Sequence, residues 1–222
     1  MWTMTHLNPD DYIITRKRKK YKFAQFANSP LCFEAEEWQG QAPADTLELA
    51  AGTGLFGVSL AEDASRQVVA VDVKADRLQT GARLAAEKGL SNVRFLRARI
   101  EDQLVDLLPA STVERLWVTF PDPFPKKRFA KNRLTHPKFL KLYQRLLTST
   151  GAFYFKTDSH DLFTWSLEQL VAEGWTLTEL SFDLHESDLS DAYKVKTTYE
   201  QRFTAEGLPS HFVKAVPPKS TK

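Results

Sequence analysis

TLELAAGTGLFG, residues 46–57, is the stretch that decides the fold class. Residues 46–50 form a short apolar strand that runs into a glycine-rich turn, and residues 55–62 continue as a helix. A strand, a Gly52-x-Gly54-x-x-Gly57 turn and a helix, in that order, let backbone approach a ligand closely and aim unpaired helix N–H groups at it. Working outward, VVAVDV at 68–73 reads as the next strand, and Asp72 at its end can accept both hydroxyls of a ribose. Residues 75–88 have helical composition and stop at Gly89, a natural C-cap. Strands are then expected at 93–96, 113–120 and 152–156, and helices at 101–108, 136–147 and 162–172. In the second of these helices Phe139, Leu140, Tyr143, Leu146 and Leu147 share one face. Two further strands, 175–182 and 197–203, are expected to pair as an antiparallel edge. This alternation predicts an α/β fold of Rossmann-like type, a mixed but mostly parallel sheet with helices on both faces.

The 222 residues suit one large domain with a short extension, long enough to bury a single core. Apolar content of 42% and charged content of 26% are ordinary for a globular chain. The net charge of +2 hides local polarity: residues 16–22 (RKRKKYK) and 126–133 are basic, and 183–191 (DLHESDLSD) is acidic. Clustered cations rather than net charge are the footprint of nucleic acid. With one cysteine, Cys32, neither an intrachain disulfide nor a cysteine-based zinc cluster can form, and no histidine pair has ligand spacing. No apolar run is long enough to span a membrane and no signal peptide is evident, so the cytoplasm is the expected location. The expected organisation is a basic, aromatic-containing arm over 1–44, a main domain over 45–216 and a disordered tail over 217–222. In the arm, Tyr12, Tyr21, Phe23 and Phe26 interleave with the basic run, either to stack on RNA bases or to pack against the main domain.

FPDPFPKKRFAKNR, residues 120–133, follows the fourth strand of the alternating region. Asp122 lies between Pro121 and Pro123, with Pro125 next, so a stiff loop with extended geometry before each proline is expected to hold a carboxylate at the strand end. Lys126, Lys127, Arg128, Lys131 and Arg133 come directly behind it, as a phosphate-binding arm or simply a solvated basic turn. In a doubly wound sheet the ligand lies between the loops after the first and fourth such strands, so the Asp122 loop should face the glycine loop. Glycines and Asp72 alone fit a dinucleotide as well as a nucleoside. Glu48, a carboxylate inside the cleft, suits a cationic ligand better than a pyrophosphate.

Four blocks, LELAAGTG, FPDPFPKKRFAKNRL, FKTD (155–158) and TTYEQRFTAEGLP (197–209), together resemble the bacterial tRNA (guanine-N7)-methyltransferases. The resemblance implies a Rossmann-like S-adenosylmethionine-dependent methyltransferase that methylates N7 of a guanine in tRNA, the variable-loop guanine in that family. Carried over residue by residue, it implies that Glu48, Gly52, Gly54, Asp72, Ile100 and Asp122 bind S-adenosylmethionine, with Asp122 also catalytic. Lys126, Asp158, Thr197, Thr198, Tyr199 and Glu200 would contact the target nucleotide. Lys127, Arg128, Lys131 and Arg133 would bind RNA. The expected partner is tRNA, with no membrane and no metal, for a monomer or homodimer.

Two positions depart from the family pattern. Ala50 stands where the glycine loop usually has its first glycine, which is tolerable at negative φ. Arg99-Ile100 stand where Asp-Ala usually meets the adenine, leaving the backbone at Ile100 or a shifted Glu101 for that task. Other readings remain: a nucleotide-dependent oxidoreductase, a non-catalytic RNA-binding relative, or a methyltransferase of another RNA base. Asp158 could instead cap the following helix, and residues 197–200 could be ordinary strand.

Overall fold

The computed structural model describes residues 17–197, 200 and 207–219. Eight strands form one sheet: β1 (Cys32–Glu34), β2 (Thr46–Leu49), β3 (Val68–Asp72), β4 (Val93–Arg97), β5 (Val113–Thr119), β6 (Leu147–Thr157), β7 (Thr176–Ser181) and β8 (His211–Val216). Their order is β1-β4-β3-β2-β5-β6-β8-β7. All neighbours are parallel except the β6–β8 and β8–β7 pairs. The chain travels outward from β2 through β3 to β4, then returns to place β5 on the other side of β2. The C-terminal ends of β2 and β5 therefore lie side by side at the switch point, with Leu49 opposite Val118.

Alternate residues of the buried strands feed opposite faces. On one face Leu47, Leu49, Val71, Val118 and Phe155 pack with α4 (Leu104–Leu107), α5 (Pro137–Leu146) and α6 (His160–Ala172). On the other, Val68, Ala70 and Phe95 pack with α1 (Lys17–Ala27), α2 (Leu55–Leu60) and α3 (Ala75–Glu87), and Trp117, Tyr154 and Phe212 surround Phe56. Helix starts follow local chemistry: Pro137 opens α5 after His136, and the Ser159 hydroxyl caps α6 by accepting from Leu162 N–H at 3.2 Å. Asp158 is thus not that helix's cap. No helix of the described residues is long and apolar enough to cross a membrane.

Several expectations need correction. The second antiparallel strand is β8, not 197–203: Glu200 is helical, and residues 198, 199 and 201–206 lie outside the described residues. The 1–44 segment carries elements that its pattern did not reveal. β1 pairs parallel with β4, and Phe26 of α1 is buried among α2, α3 and the sheet. Residues 1–16 and 220–222 are outside the described residues, including Tyr12 and half of the tail. Tyr21 is exposed, whereas Phe23 lies beneath the Arg97 guanidinium, 5.4 Å from its ring centre. Cys32 is buried, as expected of a small core residue.

Gly81, inside α3, shows how closely helix and glycine loop are packed. Its N–H donates to Thr53 O at 2.8 Å, and a Cβ there would stand 2.7 Å from that oxygen and 2.6 Å from the Phe95 ring. Gly81→Ala should therefore destabilise the protein by about 1–3 kcal/mol through overpacking, despite the gain of roughly 1 kcal/mol in helix propensity. Urea unfolding checks this; equal or greater stability in the variant would contradict the packing.

Candidate active site

The glycine loop is held by an acid at the end of the neighbouring strand. Asp72 Oδ2 accepts from Gly52 N–H at 2.9 Å and Oδ1 from Lys74 N–H at 2.8 Å, while Ala51 N–H donates to Val71 O at 3.0 Å. Ala50 has φ +56°, in the left-handed region, so the condition under which a methyl is easily tolerated there is not met. An L-residue there carries about 1–2 kcal/mol of strain. The loop's hydrogen bonds fix it there, because the chain must turn sharply as it leaves β2. Beneath the loop Glu48, 1% exposed, accepts from Gly57 N–H at 2.8 Å and from the Thr119 hydroxyl at 3.4 Å. Burial pushes its pKa from 4.5 up to about 8, with the Asp72 charge acting in the same direction and the two hydrogen bonds opposing.

The proline loop departs from extended geometry in the same way. Phe120 and Phe124, each before a proline, have φ of +47° and +43°, although proline was expected to hold them extended. Tertiary bonds override the local rule. Phe120 N–H donates to Lys156 O at 2.9 Å, and the Arg133 Nη2 and Nε donate to Phe124 O at 3.0 and 3.3 Å. The Arg133 guanidinium also lies 4.5 Å from the Trp165 ring centre, and the residue is buried. Arg133, expected to meet RNA, is instead a brace within the loop. Lys126, Lys127, Arg128 and Lys131 are exposed around a 3-10 segment, Lys127–Asn132.

Two cavities open between these loops and meet at Ala50, Pro121 and Asp122. The smaller, about 300 Å³, is walled by Asp72, Ala98, Ile100, Leu134 and Phe139. The larger, about 570 Å³, is walled by Glu48, Gly52, Thr119, Asp158 and Thr197. Asp122 is exposed at the seam. Lys126 lines neither cavity. Beside Ile100, Arg99 pairs with Asp102 at 3.3 Å and Glu101 pairs with Lys138. Among the described residues no cluster of three or more His, Cys, Asp or Glu could hold a metal ion.

Thr197 is positioned by a buried charge cluster of Glu200, Lys156 and His185, of which only Glu200 was expected at the site. Glu200 N–H donates to the Thr197 hydroxyl at 2.9 Å, and Glu200 Oε2 accepts from Thr197 N–H at 3.1 Å. That reciprocal pair is a capping box, and T-x-x-E was its legible signal. Glu200, fully buried, also meets Lys156 Nζ at 3.4 Å and His185 Nε2 at 2.7 Å, and Lys156 donates to Val195 O at 2.8 Å. Burial lowers the Lys156 pKa to about 8 against the pull of Glu200. Glu200 thus anchors the segment. Thr198 and Tyr199 lie outside the described residues.

Comparisons with known proteins agree on the class. The family described as putative methyltransferases matches residues 42–213. A tRNA (guanine-N(7)-)-methyltransferase of Brevibacillus brevis is 32% identical over 197 residues, 87% of this chain and 91% of the relative. The same enzyme of Bacteroides fragilis is 34% identical over 224 residues, covering 91% and 87%. Among solved structures, the 16S rRNA methyltransferase KamB superposes with a TM-score of 0.60 at 19% identity, covering 82% of this chain and 92% of that one. A SAM-dependent methyltransferase from Aquifex aeolicus gives 0.53 at 15%, covering 94% and 98%. These two likenesses are of fold.

The raised pKa of Glu48 has a definite sign in stability. Between about pH 4.5 and 8 the unfolded chain has lost this proton while the folded chain keeps it, so this group makes stability fall as pH rises. Glu48→Gln should flatten that dependence and leave the variant more stable than the parent at pH 8. Urea titrations at several pH values measure it; parallel slopes for the two proteins would contradict the assignment.

Proposed function

The chain belongs to the tRNA (guanine-N7)-methyltransferase family, and from that premise we propose that its two joined cavities hold methyl donor and target guanine on either side of Asp122. The protein transfers a methyl group from S-adenosylmethionine to N7 of guanine in tRNA. The observation that carries the site assignment is the seam: Glu48 and Asp72 lie on the cavity walls, Asp122 borders both cavities, and exposed cations follow directly behind.

The residues fit the donor. Gly52 carries no side chain and has open space where a Cβ would stand, Asp72 offers its remaining lone pairs to a ribose, and the apolar walls of the smaller cavity accept a purine. Glu48 is a buried acid that a cationic ligand stabilises in its ionised form. Bound S-adenosylmethionine supplies a methyl group activated by its sulfonium. Guanine N7 has a free lone pair to receive that group, so no residue of the protein would have to take a proton from the nitrogen. The protein therefore contributes mainly alignment. Asp122 orients both partners and offsets the positive charge that N7 alkylation places on the purine. Asp158 and Thr197 border the larger cavity and receive the guanine, with Glu200 acting through Thr197. The variable-loop guanine is the target, extruded from its stack at a cost of roughly a few kcal/mol. Lys126, Lys127, Arg128 and Lys131 hold the tRNA backbone.

Nucleoside analysis of tRNA incubated with the protein and labelled donor should show 7-methylguanosine, and Asp122→Asn should cut turnover strongly while leaving the melting temperature unchanged. With both substrates saturating, kcat should be nearly flat between about pH 6.5 and 8.5, as no base is needed. By contrast kcat/KM for the donor should rise toward pH 8 as Glu48 ionises. A log-linear rise in kcat would contradict the role of Asp122, and a different methylated base would contradict the substrate.

Neutralising Lys126, Lys127, Arg128 and Lys131 should weaken tRNA binding and reduce its salt dependence by about 0.7–0.9 per lost phosphate contact, through reduced counterion release. Donor affinity should stay the same. Binding measured across salt concentrations tests this, and an unchanged slope would mean the segment is merely solvated.

A further inference from the structure

The smaller cavity contains an uncharged polar side chain that neither the family resemblance nor the mechanism above employs. Asn132, the last residue of the Lys127–Asn132 segment, lines it together with Ile100, Leu134 and Phe139. Asn132 is half-buried, and its carboxamide makes no hydrogen bond among the described residues. Its backbone is well fixed: the next residue, Arg133, is tied to Phe124 O and packed on Trp165. An amide on a fixed backbone therefore borders a largely apolar slot and has no hydrogen-bond partner of its own among the described residues.

The other polar side chains around this slot are committed or ill suited. Both oxygens of Asp72 already accept backbone N–H groups, Glu101 is paired with Lys138, and Arg99 is paired with Asp102. Asp122 sits at the seam with the larger cavity, where the methyl group is transferred. An adenine edge presents an amino donor beside a ring-nitrogen acceptor. A carboxamide supplies the complementary acceptor and donor together, as asparagine does when it pairs with adenine in nucleic acids. A carboxylate supplies only acceptors.

We propose that Asn132 reads the adenine edge of the methyl donor and is a specificity-determining residue of the cofactor site. This inference rests on the donor assignment above. It also gives the cationic segment a second task, because Asn132 shares its six-residue turn with Lys127, Arg128 and Lys131, which meet tRNA.

The test compares S-adenosylhomocysteine with its analogue bearing hydrogen in place of the 6-amino group, by calorimetric titration of the parent protein and of Asn132→Ala. The parent should prefer S-adenosylhomocysteine by about tenfold or more, the discrimination expected of a bidentate amide pair. Asn132→Ala should bind S-adenosylhomocysteine about tenfold more weakly and the analogue within about twofold of the parent, so that the preference collapses. Its melting temperature should be unaltered, because the side chain makes no bond in the protein. A variant that keeps the parent's preference overturns the role of Asn132 and leaves the donor assignment standing. A parent protein that binds neither compound overturns the donor assignment, and this inference with it.

Discussion

Both central strands end in a non-glycine residue with a left-handed backbone, Ala50 after β2 and Phe120 after β5. The rest of the site depends on this constraint. Each chain must turn away abruptly where it leaves the sheet, or the two loops would continue over the strand ends and fill the space between them. At about 1–2 kcal/mol apiece, the strain persists only because the surroundings fix it. Asp72 holds the glycine loop through Gly52, the Lys156 carbonyl holds Phe120, and Arg133 holds Phe124, another left-handed residue of the same loop. Strained backbone gathers here at the cavity that the two loops enclose, as expected where geometry serves chemistry.

Charge is divided across the seam. The acidic side chains of Glu48, Asp72 and Asp122 border the cavities, while the exposed cations sit on the turn beyond. Glu48 is the most sensitive of these groups. Buried and near another acid, it gains from a cationic ligand and loses stability without one. On the opposite wall the Lys156, Glu200 and His185 cluster spends its charge internally and presents Thr197. The acidic 183–191 stretch thereby acquires a purpose, because His185 within it completes the anchor.

The central architecture was legible because β2 to β6 are apolar runs separated by helical segments, and burial on both faces leaves little else for such runs to form. The reversal of strand order between β2 and β5 follows from the alternation itself, and it sets the two loops opposite each other. Short or tertiary-dependent features were not legible. β1 has three residues and exists because β4 offers an edge. The Thr, Tyr and Phe content of 197–203 suggested a strand, although T-x-x-E at its start is a capping signal, and the pairing strand β8 lies further on. Rules for pre-proline residues gave the wrong backbone at Phe120 and Phe124 because distant hydrogen bonds outweigh them. Arg133 looked like its basic neighbours in sequence. Only its position under Trp165 and beside Phe124 distinguishes a brace from an RNA contact.

The most direct measurement is a crystal structure of the protein with S-adenosylhomocysteine and a guanine nucleotide. The account predicts the adenosine in the smaller cavity over Asp72, the sulfur between Glu48 and Asp122, and guanine N7 facing that sulfur from the larger cavity. A ligand bound outside the two cavities, or a guanine lying away from Asp122 and Asp158, would contradict it.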